Sequence, residues 1–493
     1  MRHPIAAAIA LVLLPLACVA QAKLGDPMPP RSWVDKDTGH RVWRLTDERN
    51  SGGFYFNINA YTADKKQMIY TAPDGIHVME MDTRATKLLV ADPKQADGTP
   101  AAGRAPGVVH ALVAGNKTNS VFYTATDAAG ITGVYKADTN TGAVRKLVDM
   151  PKLPNTSGMS VVSVNADETL IAGTYIEGDR ANQLYGQNAP AAAARPDNRV
   201  GSADEGPHYQ PTNKGAMMEA RLAARLPLVL FTLRLEPGPN GAKPGDLKEL
   251  LHSTDWVNHL LFSPTDPELL MYCHEGPWQK VDRIWMIHTD ATHNTLVHKR
   301  TMVNEIFGHE FWGLDGETIW YDWQYPKGED FFLAGYNLKS GKRTAYHLQR
   351  NEWSIHFNLT KDLDIFCGDG GDPGQVAKAP DGEWIELFHP QAITDGPGTL
   401  NGPDFWQPGV FHSEHLVNMS HHYYREEPNV RFSPDKKLVI FTSNMFGPSY
   451  VFGAEVDKAD NPPASDVQST PDLARKYNPV DPPNSKQGMP RIP

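Results

Sequence analysis

Residues 259–288 read HLLFSPTDPELLMYCHEGPWQKVDRIWMIH, and residues 432–441 read FSPDKKLVIF. In both, an apolar run ends in Phe-Ser-Pro, a polar turn with aspartate follows, and a second apolar and aromatic run begins. That order predicts two antiparallel strands joined by a tight turn. Residues 58–90 (INAYTADKKQMIYTAPDGIHVMEMDTRATKLLV) and 121–148 (VFYTATDAAGITGVYKADTNTGAVRKLV) repeat the design, each as three short runs with an Asp-Thr turn before a basic outer run. Further copies at 161–175, 310–348, 355–388 and 430–456 bring the count to seven units. Sequential antiparallel units with few helices predict an all-β chain folded as a β-propeller. An open edge strand invites unwanted pairing, so residues 40–45 are expected to pair with the last blade and close the ring.

Two interruptions break the period. Residues 181–226 hold an Ala/Pro-rich run (QNAPAAAARPDN) and a helical pattern (AMMEARLAARL), and residues 391–425 form the second. Insertions in propellers usually rise from one face, where they can wall a binding site. Residues 458–493, rich in Pro, Asp and Asn, read as a partly ordered tail, leaving 23–457 as one propeller domain.

The chain has 493 residues and a formal net charge of −11, with no concentrated basic run, so a nucleic-acid partner is not expected. Its three cysteines make no disulfide framework; Cys273 and Cys367 can pair once or simply be buried. The start is informative: Arg2 and His3, an apolar run over 5–17 and Ala20-Gln21-Ala22 before Lys23 read as an export signal over 1–22. The mature protein is then expected in the periplasm or secreted. A lipoprotein pattern at Leu16-Ala17-Cys18 is a second reading, against which Pro15 stands. No other stretch approaches the roughly 20 apolar residues of a membrane span.

Histidine carries most of the chemical signal. Nine of the 19 histidines, His259, His274, His288, His309, His356, His412, His415, His421 and His422, fall beside strands in the second half. Any one of them is more often a structural residue. One or two per blade, on blades that converge on an axis, point instead to a metal site, an acid/base pair, or both.

Four motifs are Asn258-His259-Leu260-Leu261-Phe262-Ser263-Pro264, Cys273-His274-Glu275-Gly276-Pro277, Val281-Asp282-Arg283-Ile284-Trp285 and Gly308-His309-Glu310-Phe311-Trp312. In order and spacing they resemble the oligogalacturonate lyases, pectin-degrading polysaccharide lyases built on a seven-bladed propeller. Asp35 to Thr46 is similar to that family's opening strand. The resemblance implies metal-assisted β-elimination on short uronate oligosaccharides, with His309 as the proton-abstracting base and Arg283 stabilising the substrate carboxylate. Those roles suit the residues. Elimination removes the C5 proton beside a carboxylate, which a neutral imidazole can accept. The enolate-like dianion that develops suits an always-cationic, bidentate guanidinium. The competing reading of Arg283 is an ion pair with Asp282 or Glu275. His259 and His274 match motif positions and are expected near the substrate. Adjacent strand residues face opposite ways, which argues against Cys273 and His274 as a nucleophile pair.

The resemblance also implies a divalent ion, commonly manganese, held by one histidine on the sixth blade and a Gln-x-x-His-x-His run on the seventh. Ile355-His356-Phe357-Asn358 matches the first, so His356 carries over. The run does not match: its three ligand positions hold Tyr424, Glu427 and Asn429. Glu427 and Asn429 remain oxygen ligands suited to Mn, Mg or Ca, and His422 is near enough in sequence to replace a missing nitrogen ligand. The alternative is that Glu427-Pro428-Asn429 merely enters a strand. Two other classes stay open: a propeller glycoside hydrolase, for which no carboxylate pair stands out, and a non-catalytic carbohydrate-binding or scaffold propeller. The particular uronate is equally open.

Overall fold

The computed structural model describes residues 28–482, apart from 93–108, 179–213, 372–376 and the single positions 128, 378, 380, 401, 403 and 425. The export signal read over 1–22 and the Ala/Pro-rich run of the first insertion lie outside the described residues.

The strands form six hydrogen-bonded sheets, one of which joins two blades, so the ring has seven. Each described blade begins on the inside. Inner strands are Val109–Ala114 in blade two, Thr156–Val164 in three, Trp256–Phe262 in four, Ile306–Trp312 in five, Phe357–Leu359 in six and Arg431–Phe432 in seven. In blade one, Gln67–Ala72 is flanked on its inner side by bridges Gly52↔Thr71 and Tyr61↔Met68. Blade faces carry Val, Ile, Leu, Phe and Tyr at alternate positions. Neighbouring faces bury these side chains in a succession of apolar clusters around the ring. Cys273 and Cys367 are buried free thiols within this packing.

The ring closes as expected. His40–Arg44 pairs antiparallel with Tyr450–Lys458, supplying the fourth strand of blade seven from the other end of the chain. Ser32–Asp35 adds a fifth strand, and Val467–Gln468 a sixth, parallel to it. Within the tail read as partly ordered, helix α2, Thr470–Tyr477, follows that strand. Trp33 Nε1 donates to Thr470 Oγ1 at 2.7 Å, and the Thr470 hydroxyl donates to Asp35 at 2.8 Å, in a buried latch. Pro and Asp had suggested disorder, but here Pro471 opens a helix and Asp472 lies in its first turn, where both are favoured.

The second interruption differs from the loop read over 391–425. Trp406–Asn418 is a 13-residue strand, antiparallel to Trp384–Ala392. Its first half also pairs in parallel with Arg343–Leu348, the outer strand of blade five, so blades five and six form one sheet. Pro408 and Gly409 sit within this strand. Both have structural reasons: Pro can sit at a strand entry, and a Cβ at residue 409 would run into the Tyr346 ring. The first interruption lies within blade three and ends in helix α1, Lys214–Ala224.

Glu386, on the strand Trp384–Ala392 beside a register break, is fully buried, and neither carboxylate oxygen has a hydrogen-bond partner. His415 Nε2 lies 3.3 Å away without hydrogen-bond geometry. Burial, reinforced by Glu352 and Asp381, pushes this carboxyl well above the ordinary glutamate range. A carboxyl that binds its proton more tightly when folded costs nothing below its unfolded pKa and progressively more as pH rises. Glu386→Gln is therefore expected to raise the melting temperature at pH 8 and leave it nearly unchanged at pH 4. An equal shift at both pH values, read by calorimetry, would show that ionisation is not the cost.

Candidate active site

His309 stands on the inner strand of blade five, where the register against Thr318–Gln324 skips between Gly308 and Phe311. This bulge gives His309 a left-handed φ of 46°. A bulge re-aims a side chain, here toward Asp322 on the next strand. His309 Nδ1–H donates to Asp322 Oδ2 at 3.2 Å, and Asp322 is 1% exposed. The carboxylate thus fixes the tautomer with Nε2 unprotonated, as a base requires. Gly308 has its own role, because a Cβ there would lie 2.7 Å from the Trp278 ring. Trp278 can therefore lie against the strand, its ring centroid 5.2 Å from that of His309.

Trp278 also meets Arg283, whose guanidinium carbon is 4.6 Å from the ring centroid. Arg283 lies just before strand Ile284–His288 and is 2% exposed, with Nη1 3.7 Å from Glu275 Oε1. Burial opposes its charge, but Cys273, Glu275, Glu310 and Asp322 outweigh burial and hold the guanidinium protonated above its ordinary range. Its Nε and Nη1 lack hydrogen-bond partners, as do both carboxylate oxygens of Glu310 and Oδ1 of Asp322. Unsatisfied buried donors of this kind need a partner, and an incoming carboxylate would supply one. The ion pair with Glu275 and a substrate-facing role are therefore compatible. The Cys273 thiol is pushed up by burial and is no nucleophile.

His356 is wholly buried at the entry to blade six. Its Nδ1–H donates to Asp369 Oδ2 and its backbone N–H to Asp369 Oδ1, both at 2.8 Å. Nε2 is consequently the acceptor nitrogen, and the Tyr55 hydroxyl donates to it at 3.1 Å. The ring stacks on Phe56 and lies 5.1 Å from that of His309, so the predicted base and the predicted metal histidine are neighbours. Glu427 Oε2 is 3.8 Å from Nε2, too long for a hydrogen bond and short enough for both atoms to bind one ion.

The rest of the predicted ligand set is placed differently. His422 Nε2–H donates to the Glu426 carbonyl at 2.7 Å and Nδ1 faces Ser443 Oγ at 3.0 Å, so both ring nitrogens serve the local fold. Asn429, with φ of 56°, accepts from Phe56 N–H at 3.1 Å and donates from Nδ2 to the Glu427 carbonyl at 2.8 Å. It braces the entry to blade seven. Among the described residues, no three or more His, Cys, Asp or Glu side chains are grouped to hold a metal.

His259 shares the site and His274 does not. His259 Nε2 lies 3.0 Å from Glu275 Oε2, while His274 packs on the opposite side of its strand against Trp285 and Tyr272. Burial pushes His274 down, keeping it neutral. Helix α1 reaches the same end of blade four. Glu219 pairs with Lys280 at 2.7 Å, Arg225 pairs with Asp255, and Arg221 stacks 3.6 Å over Trp256. The described end of the first insertion thus lies beside the loop bearing Trp278.

Three site residues escaped the sequence reading. Asp322 was findable from hairpin register, since it faces Gly308. Asp369 lies 13 residues beyond His356, just after the next strand, and carries no motif of its own. Tyr55 comes from the chain entering blade one and carries no local signal.

Residues 241–459 match the family model described as oligogalacturonate lyase. The oligogalacturonate lyase of Dickeya dadantii (strain 3937) is 26% identical over 227 residues, covering 43% of this chain and 53% of that protein. The oligogalacturonide lyase of Pectobacterium atrosepticum is 25% identical over 222 residues, with the same coverage. The chain thus spans about half the length of the curated relatives it matches. An oligogalacturonate lyase structure in complex with manganese superposes with a TM-score of 0.60 at 18% identity, covering 88% of this chain and 96% of that one. The oligogalacturonate lyase of Vibrio parahaemolyticus gives 0.60 at 17%, covering 87% and 96%. The resemblance carried by the four motifs is therefore borne out: residues 241–459 bear the sequence pattern of the oligogalacturonate lyase family, on a propeller fold shared over most of the chain.

Proposed function

We propose that this protein is a polysaccharide lyase that cleaves short uronate oligosaccharides, of the oligogalacturonate type, by β-elimination. The observation that carries this reading is the pairing of an aspartate-backed imidazole, His309, with a buried, incompletely hydrogen-bonded guanidinium, Arg283, both packed against Trp278. His309 Nε2 would accept the C5 proton. Arg283 would hold the substrate carboxylate as negative charge moves onto it, supported on its far side by Glu275. Trp278 keeps water from the guanidinium face and sets the spacing between the two groups. The export pattern read in the first 22 residues supports an activity outside the cytoplasm.

Manganese is the ion in the related complex, and His356 with Glu427 fits a divalent ion here. Asp369 fixes the tautomer that offers Nε2, as second-shell carboxylates do for metal-bound histidines. Two protein donors leave room for substrate oxygens and water, as such ions accept. An ion held there would supply positive charge at the substrate carboxylate and so acidify the C5 proton. Purified protein is expected to contain about one divalent ion per chain. His356→Ala and Glu427→Gln should each lower that content in elemental analysis, and Asn429→Ala should not. Equal uptake by all three would remove His356 and Glu427 as ligands.

The reaction is tested by following the ultraviolet absorbance of a 4,5-unsaturated product with a panel of uronate oligomers. A rise with one member establishes elimination and names the sugar. No rise with any member, from folded and metal-loaded protein, would favour a carbohydrate-binding propeller.

A further inference from the structure

His259 occupies, one blade earlier, the place that His309 occupies in its own strand. Each follows a register skip, after Asn258 and after Gly308, and each has a left-handed φ, 48° and 46°. Such backbone is unfavourable at a non-glycine residue and persists where its surroundings enforce it. Each imidazole is also backed by a buried carboxylate, Glu275 at 3.0 Å for His259 and Asp322 at 3.2 Å for His309. The His259 ring is 6.5 Å from that of Tyr55, whose hydroxyl meets His356, whose ring lies 5.1 Å from that of His309. The two carboxylate-backed histidines thus border one site, while elimination by His309 leaves a second proton transfer unassigned. The C4 oxygen must gain a proton as it departs.

We propose that His259 donates that proton. The proposal rests on the elimination reading and completes it. With Nε2–H held by Glu275, the imidazolium delivers its proton from Nδ1. The C5 proton passes to His309 Nε2, and the C5–H electron pair becomes the C4=C5 double bond. The C4–O bond breaks with its electrons on oxygen, which takes the proton from His259. His309 ends protonated and His259 neutral, and exchange with water restores both. Glu275 also lies 3.7 Å from Arg283 Nη1, so one carboxylate couples the proton donor to the group that binds the substrate carboxylate.

The test compares two leaving groups on wild type, His259→Gln, His259→Lys and His309→Ala. Trigalacturonate needs a proton on its departing oxygen, whereas a 4-deoxy-4-fluorogalacturonide expels fluoride without one. His259→Gln is expected to lower trigalacturonate turnover about 100-fold while keeping fluoride release within about threefold of wild type. His259→Lys, which retains a protonated donor, should recover part of the trigalacturonate turnover, and His309→Ala should lose both reactions. Equal loss on both substrates in His259→Gln and His259→Lys, or no loss on trigalacturonate, overturns the proposal with the elimination reading intact. Fluoride release unaffected by His309→Ala, or no unsaturated product from wild type with either substrate, overturns the elimination reading and the proposal with it.

Discussion

Replacing His309 by alanine is expected to lower turnover of a uronate oligomer by about 10²- to 10⁴-fold, the range removed with a general base. The fold should survive. His309 lies at a bulge with a left-handed φ, so alanine there relieves no strain; it removes the ring's contacts with Trp278 and His356 and the hydrogen bond to Asp322, whose carboxylate keeps the Arg283 charge nearby. Asp322→Asn leaves the ring in place but no longer selects its tautomer, and a smaller loss of about 10- to 100-fold is expected. Graded losses with unchanged melting temperatures would identify His309 as base and Asp322 as its positioning partner. Activity retained in His309→Ala would refute the assignment.

Arg283→Met is expected to cost both activity and stability. Removing one preorganised donor to the developing charge lowers turnover by about 10²- to 10³-fold. The same change strips the cation from Glu275, Glu310 and Asp322, all buried, and breaking a buried ion pair from one side costs about 3–5 kcal/mol. Arg283→Lys separates the two effects. It restores the positive charge, so much of the stability should return, but a compact ammonium cannot offer the guanidinium's fork and turnover should stay low. Denaturant unfolding and product absorbance measured on both variants provide the comparison. Normal stability in Arg283→Met would mean that the three carboxylates are protonated or solvated, contrary to this account.

The propeller was legible because its repeat is written locally: a polar turn with Asp, Gly or Asn between two short apolar runs recurs from unit to unit, sharpest as Phe-Ser-Pro at 262–264 and 432–434. His309, Arg283 and His356 were legible because each sits in a continuous motif on or beside a strand. What the sequence hid is set by distance or by side-chain choice. Tyr55 meets His356 across 301 residues. His422 looked like a ligand because it is close in sequence to Glu427, yet its nitrogens had nearer uses, in the Glu426 carbonyl and Ser443. Residues 391–425 read as an insertion because they break the blade period, and the long strand Trp406–Asn418, at the seam between two blades, repeats no local pattern.

The closing blade sets the order of events during folding. Trp33 and Thr470, bonded in the finished molecule, are 437 residues apart in the chain. Entropy penalises the joining of such distant segments, and topologies dominated by remote pairing fold slowly. During synthesis, the early strands Ser32–Asp35 and His40–Arg44 must wait beside partly built blades until Tyr450–Lys458 and Val467–Gln468 have emerged from the ribosome. Until then their hydrogen-bonding edges stay open to other chains, which makes the unfinished ring the stage most exposed to aggregation and most in need of a chaperone.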